Sequence, residues 1–496
     1  MADTTPVSRI AIFGHNHCLW PAATLLAKNL PEGMRLAVIE DDGDPAEPVA
    51  LTLPWESPLH DAIDVTAHDL AEHCNGVFGL GVDLHDWRGD GSHFFSAPSG
   101  TLPAINGVAL HHVMLRAASM YEEPERLDYL LQPFRFAARA AAACKFSEAA
   151  GDPQSPLAML GPTVQFESAA YGAMLRERFT DSAATIDRGT VASVSLDSDR
   201  SRIDSVTLTD GRQIDANLFV DVSGCLSELA PVSLDPGRQS LADILAFDLY
   251  ISGSRSARED GGHASARAIA GGLLVETPVR GRHFSELLFS ARDMVEDHAR
   301  TRVGSDNDSV PFSAHFARTP WTGNLVRLGP ASARFGPYLS PDMRLLHEQA
   351  LLLVRHLPAV GRMTVEAAEF NAKQLNVARQ LRDFLAIPFL LNARDEMPWA
   401  SVRGASLPQS LAIRLEQFRS RGRFVTFDSE QFDRQTWIDL MIGFGVVPCR
   451  YDSQVDAMDM RRIAPALKQM TDRFTQTIAA MPDRAEYLAT IDSPGS

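Results

Sequence analysis

The sequence predicts an α/β fold in which a mostly helical C-terminal region follows a large domain that contains sheets. Three observations support this prediction: a strand–turn–helix–strand unit over residues 8–40, several β-rich segments in the middle of the chain, and long helical periodicity near the end. We expect the first domain to span residues 1–364, with a sheet-rich region within 60–320, and the helical region to span 365–496.

The N-terminal unit has the element order of a dinucleotide-binding fold. A β-branched apolar run over residues 9–13 leads into Gly14, and a helix is predicted over about residues 20–30. A second apolar strand, residues 36–39, ends at Glu40. In this Rossmann-like arrangement an acid at the end of the second strand can bind a ribose hydroxyl.

The phosphate-binding turn of this unit is degenerate. The fingerprint G-x-G-x-x-G lets the backbone approach a pyrophosphate, but the stretch Gly14-His-Asn16-His-Cys-Leu19 keeps only its first glycine. Asn16 tolerates unusual backbone angles, whereas Leu19 adds bulk where helix and strand pack closely. Taken alone, the motif is a weak indication of a bound nucleotide.

Strands and helices are mixed in the middle of the chain, and the C-terminal part is predicted to be mostly helical. Strands are predicted at 191–194, 203–209, 213–220 and 325–328, an exposed loop at 253–267, and helices at 342–357, 367–390, 410–421 and 460–481. This order is that of a mixed-sheet domain with a helical C-terminal region.

Composition and charge exclude several classes of protein. The chain has 46 Lys and Arg against 63 Asp and Glu, a formal net charge of −17, which argues against nucleic acid as the main partner. No run of about 18 apolar residues predicts a membrane span, and the N-terminus does not resemble a signal peptide. The five scattered cysteines include no C-x-x-C pair and predict reduced thiols. We therefore expect a soluble, cytoplasmic protein without membrane partners.

Other candidate sites are weak. His15, His17 and Cys18 share one loop and could be read as metal ligands, but no fourth donor lies at a recognisable spacing. A G-x-S-x-G nucleophile elbow is absent from the sequence. A remnant of the phosphate loop with incidental imidazoles is the better interpretation, so we expect no metal, and a metal-dependent site around His15 and His17 is kept as a third hypothesis.

In this order the segments resemble the flavin-dependent tryptophan halogenases, a family on the flavoprotein monooxygenase fold. The similarity covers nearly the whole chain and is most specific near its C-terminus, in Arg394-Asp395, Trp399, Pro408-Gln-Ser-Leu411, Phe418-Arg-Ser-Arg-Gly-Arg423, Trp437, Ile442-Gly443, Gly445, Pro448, Tyr451-Asp452 and Met481-Pro482. Earlier segments that fit are 167–176, 189–191, 221–224 and Gly329. The resemblance implies a Rossmann-like FAD-binding domain with a mixed-sheet substrate region and the helical C-terminal region.

The resemblance also suggests how a flavin would be held. It implies FAD as the cofactor, with Gly14 at the first turn, Glu40 at the ribose, and Val191 and Gly329 contributing backbone contacts. An active member of the family would need a flavin reductase as partner.

The sequence departs from the family pattern at the motifs to which catalysis is attributed. The catalytic lysine of the family, which carries or orients hypohalous acid, falls in the stretch Val77-Phe-Gly79-Leu-Gly81, where Gly79 takes its place. A glycine has no side chain with which to bind a halogen species. The W-x-W-x-I-P motif, credited with suppressing ordinary monooxygenation, corresponds to residues 273–278, where only Pro278 remains.

A further segment is altered in the same way. The family has G-D-A and then P-L-E-S-T-G, with a catalytic glutamate followed by the halide site. This chain has Gly329-Pro-Ala331 and then Pro337-Tyr-Leu339-Ser-Pro341-Asp342, so leucine replaces the glutamate. Asp342 would repel a halide, and it could equally cap a helix.

Two hypotheses follow. The leading one is a non-catalytic or repurposed paralogue that does not halogenate, nominates no catalytic residue, and binds a small aromatic ligand or forms a homodimer or a heterodimer with an active relative. The alternative is an active flavin-dependent halogenase or monooxygenase that uses reduced FAD and O2 on an indole-type substrate.

Overall fold

The computed structural model describes residues 6–41, 49–98, 102–180, 184–227, 230–257, 263–428 and 430–492. The chain divides into two compact units, each built from three stretches of sequence. The first comprises Met1–Gly76, Phe166–Ala242 and Val310–Arg379, and the second comprises Val77–Gln165, Asp243–Ser309 and Gln380–Ser496. The boundary expected between residues 364 and 365 coincides with the first residues of helix Thr364–Leu390 and stays a prediction.

The first unit contains a mainly parallel sheet around the N-terminal strand. The predicted βαβ unit is present as β1 (Arg9–Gly14), α1 (Asn16–Asn29) and β2 (Arg35–Glu40). The order of strands across the sheet is Ala184–Arg188 (β3), β2, β1, Leu218–Asp221 (β4), Leu325–Arg327 (β5) and Trp321–Thr322. All neighbours except the last pair run parallel. The strands β1, β2 and β4 are almost entirely buried, as continuous apolar runs in a parallel sheet should be.

Helices and smaller sheets complete this unit. Helix α1 begins at Asn16, earlier than the predicted start near residue 20, so its first turn lies inside the degenerate fingerprint. The other elements are the helices Pro58–Ala62, Ala67–His73, Ser168–Arg178 (α2) and Pro341–Arg355 (α3), and the strands Ala50–Pro54, Val191–Leu196, Ile203–Leu208, Gln213–Asp215, Arg238–Ser240, Val310–Pro311, His315–Ala317 and Ala333–Arg334.

The second unit combines a mostly antiparallel sheet with helices. Its main strands follow the order Leu249–Ser256, Arg282–Phe289, Gly272–Val279, Ala264–Ile269, Val82–His85 and His93–Ser96. Its helices are Leu110–Ser119, Leu127–Leu131, Phe136–Ala142, Glu296–Val303, Trp399–Arg403, Gln409–Arg421, Arg434–Gly443, Met460–Ala480 and Arg484–Asp492; its shorter strands are Val77–Gly79, Ala104–Ile105 and Val108–Ala109. The strand Thr163–Glu167 and the helix Thr364–Leu390 contribute residues to both units.

Two of the predicted elements were wrong in extent. The strand expected over 213–220 is interrupted and forms Gln213–Asp215 and β4, which belong to different sheets. The loop expected over 253–267 is largely strand, because Leu249–Ser256 and Ala264–Ile269 both pair within the main sheet; residues 258–262 lie outside the described residues. In the described part of the chain, no helix has both the length and the apolar character needed to cross a bilayer.

Candidate functional site

Functional candidates from four strands meet at one edge of the parallel sheet. Gly14 ends β1, Glu40 ends β2, Asp221 ends β4, and Gly329 follows β5. Because these strands run parallel, their carboxyl ends share an edge, which is where ligands bind in open α/β sheets. Val191 is placed differently: it begins an antiparallel strand opposite Leu208, and its side chain is buried in a hydrophobic core.

Gly14 lies in close contact with the turn after β4. A Cβ added to Gly14 would lie 2.3 Å from Cγ2 of Val222, so no side chain fits there without a shift of the backbone. Helix α1 starts directly after this contact, and its N-cap residue His15 makes no side-chain capping bond. The first N–H groups of the helix therefore have no partner of the kind a cap supplies, and they carry the positive end of the helix dipole.

The degenerate fingerprint positions are accommodated in the fold. Asn16 has φ +43°, within the left-handed region that a fingerprint glycine would adopt easily. Leu19, expected to add bulk, is fully buried, with its Cβ 3.7 Å from the position of a Cβ on Gly14. Both substitutions are thus compatible with a strand–turn–helix of ordinary form.

Glu40 is held by two arginines at the end of β2. Its Oε2 accepts hydrogen bonds from Nε of Arg188 at 2.8 Å and from Nε of Arg176 at 3.2 Å. Its main-chain carbonyl accepts from the N–H of Gly189 at 3.1 Å. Both of these arginine bonds go to Oε2, and the two guanidinium groups place positive charge beside this carboxylate.

Asp221 organises the turn that packs on Gly14. Its fully buried carboxylate accepts from the N–H of Gly224 at 2.8 Å, the N–H of Ser227 at 2.7 Å and Oγ of Ser227 at 2.6 Å. The Ser227 hydroxyl also accepts from Nε of Arg327 at 3.0 Å. Burial lowers the pKa of Arg327 to about 10. This network fixes the backbone beside the phosphate turn, a role that the sequence pattern did not identify.

Gly79, which is predicted to stand at the lysine position of the family, lies in the second unit, and neighbouring side chains surround it. Gly79 pairs with Thr163 on the adjacent antiparallel strand. A Cβ on Gly79 would lie 2.7 Å from Nε2 of Gln165 and 3.0 Å from Oγ1 of Thr163. The Gln165 amide donates to the Thr163 hydroxyl at 2.8 Å, and both residues are buried, 1% and 4% exposed respectively. The direction a side chain at 79 would take is therefore occupied by a hydrogen-bonded pair.

The segment 337–342, which is predicted to correspond to the glutamate segment of the family, has an unusual backbone. Leu339 and Ser340 are consecutive non-glycine residues with φ of +66° and +46°. Such conformations cost roughly 1–3 kcal/mol each and persist where the surrounding structure enforces them. The Ser340 hydroxyl accepts from the N–H of Thr52 at 2.9 Å, and Asp342 accepts from the N–H of Phe335 at 2.7 Å. These bonds hold the segment at the start of α3.

Asp342 is the most perturbed carboxyl group of this segment. Burial raises its pKa to about 7, against the lowering effects of the Phe335 hydrogen bond and of the Arg334 charge. The negative charge of Asp342 also affects Cys18, in the first turn of α1. Burial, and to a smaller extent the charge of Asp342, raise the pKa of the Cys18 thiol to about 12. A carboxyl group with a pKa in this range can exchange a proton near neutral pH.

Asp342 is expected to make the protein less stable as pH rises. Because the folded state binds its proton more tightly than the unfolded state, stability is lost as pH rises from about 4 to about 7. Asp342→Asn keeps an acceptor for Phe335 and cannot ionise. Urea unfolding at pH 4 and pH 8 should therefore show the variant gaining stability relative to wild type at pH 8 and little at pH 4; an equal difference at both pH values would contradict this assignment.

His15 and His17 were considered above as metal ligands. Burial, with a smaller effect of His15, lowers the pKa of His17 to about 4, so its imidazole is neutral. Within the described ranges, no group of three or more His, Cys, Asp or Glu side chains is arranged to hold a metal ion.

The open parallel sheet, with its uncapped helix terminus and its acid at the end of the second strand, defines a dinucleotide-binding class of protein. The sequence profile of the tryptophan halogenase family matches residues 9–460. The chain belongs to the tryptophan halogenase family.

Known proteins agree with this assignment over nearly the full length. The tryptophan 6-halogenase SttH of Streptomyces toxytricini is 23% identical over 99% of both chains, and the tryptophan 7-halogenase RebH of Lentzea aerocolonigenes is 23% identical over 97% of this chain and 96% of its own. The solved structure of BrvH, a flavin-dependent halogenase from Brevundimonas sp. BAL3, has a TM-score of 0.88 at 23% identity, covering 98% of this chain and 99% of that one. The predicted family and α/β fold are confirmed.

Membership of this flavin-dependent family implies a bound FAD, and the residues of the first unit fit an FAD. Gly14 allows a close approach of backbone, the start of α1 offers N–H groups to an anion, and Glu40 offers an acceptor to a ribose. The contacts assigned to Gly14, Glu40, Val191 and Gly329 stay predictions.

Proposed function

We propose that this protein binds FAD and does not halogenate, acting as a non-catalytic or repurposed member of its family. The observation that carries the proposal is the hydrogen-bonded pair of Gln165 and Thr163 in the space beside Gly79. An amine from another residue could in principle take the place of a lysine at position 79. The groups beside Gly79, however, are the neutral amide of Gln165 and the hydroxyl of Thr163. Neither can act as an amine nucleophile toward hypohalous acid.

The residues of the first unit would hold the cofactor. FAD, when bound and reduced, supplies redox chemistry toward O2. The backbone at Gly14 and the first turn of α1 would bind the diphosphate, and Glu40 would accept from the ribose. Gly329 would add a backbone contact; it has φ +51°, and a Cβ there would lie 3.2 Å from Leu346. Val191 would contribute only through its main chain, because its side chain is buried in the core.

Leu339 stands at the position where the family pattern has its catalytic glutamate. The leucine side chain has no proton to donate. Its backbone is left-handed, a conformation that a glycine would adopt at lower cost. The loss of both the amine and the carboxylic acid favours a protein that keeps the scaffold and not the halogenating step. Its ligand would be a small aromatic molecule, or its partner an active relative, in a homodimer or a heterodimer within the cytoplasm.

The proposal is tested by a product assay. Purified protein is incubated with FAD, NADH, a flavin reductase, O2 and bromide, together with tryptophan or indole, and products are analysed by mass spectrometry. Flavin-dependent halogenases work with a separate flavin reductase, so an active family member assayed in parallel confirms that the mixture is competent. We expect no brominated product above a sample without the protein. Substantial bromination would overturn the proposal.

A monooxygenase is the second candidate, favoured by Asp342. A carboxyl group with a pKa of about 7 can serve as a proton donor or acceptor near neutral pH. In this case the same mixture without bromide should give a hydroxylated indole and substrate-dependent O2 uptake, both reduced by Asp342→Asn. Absence of FAD binding at about 100 μM, weaker than about −5.5 kcal/mol, would exclude this candidate and the cofactor claim together.

A further inference from the structure

Gly172 has an unusual position inside a helix. It lies in the middle of α2 (Ser168–Arg178), where glycine costs up to about 1 kcal/mol relative to alanine. A Cβ added at this position would lie 1.9 Å from Oδ1 of Asn16, and 2.8 Å from both the carbonyl carbon of Asn16 and the nitrogen of His17. Real Cβ atoms do not approach other atoms so closely, so the contact requires glycine.

The partner in this contact is the altered phosphate turn. Asn16 occupies the second glycine position of the fingerprint, with φ +43°. Unlike a glycine, Asn16 has a side chain that needs space. Its amide lies against Gly172, in the notch on α2 that exists because Gly172 has no side chain. The side chain is thereby directed toward a neighbouring helix, while the start of α1 stays without a side-chain cap.

We propose that Gly172 is a positioning residue for FAD: its notch takes the Asn16 side chain and keeps the first-turn N–H groups of α1 available to the diphosphate. The inference rests on the proposed binding of FAD. It explains how a fingerprint without its second glycine retains an anion-binding terminus. The glycine lost from the turn is in effect replaced by a glycine on the helix packed against it.

A methyl group at 172 would disturb the turn in two ways. The overlap with Oδ1 can be relieved by rotation of the Asn16 side chain, which would then have to move out of the notch. The contacts with the main chain of Asn16 and His17 cannot be relieved by rotation, so the first turn of α1 must shift. Both movements alter the position of the N–H groups that would face the diphosphate.

Affinity for FAD and thermal stability together test this role. We expect Gly172→Ala to weaken FAD binding about tenfold or more, measured by quenching of flavin fluorescence or by calorimetry. Asn16→Gly is expected to retain FAD binding, and the variant with both changes should recover part of the loss. Gly151→Ala is the matched control, because Gly151 is exposed and a Cβ there would meet nothing within 4 Å.

The outcomes separate the inference from the proposed function. If wild type binds FAD and Gly172→Ala binds it equally well, the inference is wrong. Purely additive effects of the two substitutions would also overturn it, since the two sites would not be coupled. If wild type does not bind FAD, the cofactor claim itself fails, whatever the melting temperatures show. Should Gly172→Ala not fold, the comparison of Asn16→Gly with the doubly substituted protein carries the same test.

Discussion

Gly79→Lys is expected to destabilise the protein by roughly 2–5 kcal/mol and to leave it unable to halogenate. The first atom of the new side chain would overlap the Gln165 amide and the Thr163 hydroxyl, both of which are buried. The ammonium group would then have to displace this pair or lie beside it. We therefore expect that a lysine at this position does not by itself produce a halogenating site.

Urea unfolding and the bromination assay measure this effect. The variant that combines Gly79→Lys with Gln165→Ala should recover part of the lost stability, since the 2.7 Å contact is removed. Gly151→Lys, at an exposed position with open space, should be close to wild type. A Gly79→Lys protein that is as stable as wild type would show that the space beside Gly79 is free, contrary to our account.

Asp221→Ala is expected to cost roughly 2–4 kcal/mol, because the alanine leaves several partly buried donors without an acceptor. The N–H groups of Gly224 and Ser227 and the Ser227 hydroxyl would all lose their partner. The turn would no longer hold Val222 against Gly14, so FAD binding should weaken as well. The loss of stability is measured by urea unfolding, and that of affinity by flavin fluorescence.

Two variants calibrate this result. Asp221→Asn keeps one acceptor oxygen and should be destabilised less than the alanine variant. Asp204→Ala changes an exposed aspartate on the nearby antiparallel strand Ile203–Leu208 and should be nearly neutral. An Asp221→Ala protein within about 1 kcal/mol of wild type would mean that the buried network contributes little to the turn.

The N-terminal βαβ unit could be predicted from the sequence because its signals are local. Apolar runs, a glycine and a terminal acid follow one another within residues 8–40, and the structure places Gly14 and Glu40 at neighbouring strand ends. Only the start of α1 was misplaced, since the fingerprint stretch lacks the glycines that normally mark it. Three C-terminal helices, Thr364–Leu390, Gln409–Arg421 and Met460–Ala480, were predicted for the same reason, from regular periodicity, whereas the shorter helices between and after them were not.

The candidate site was predictable only as a set of departures from a family pattern. The sequence predicts that Gly79 stands at the lysine position of the family, but the contact of Gly79 with Gln165 depends on the register of a strand distant in the chain. The pairing of Asn16 with Gly172 likewise joins two helices whose packing no local signal specifies. A glycine inside the predicted 167–176 segment was the one available hint. Each of the two units is built from three separate stretches of sequence, so its formation requires contacts between residues far apart in the chain. Hydrophobic periodicity, a local signal, does not specify such contacts.

A crystal structure of the protein crystallised with FAD tests the central claim most directly, because it examines the cofactor site and the lysine position together. We predict FAD with its diphosphate at the start of α1 and its ribose near Glu40, with the Gln165 amide still hydrogen-bonded to Thr163 over Gly79. A structure without FAD at millimolar concentration would contradict the first half of the account. A structure in which Gln165 has moved away and another amine points into the space beside Gly79 would contradict the second.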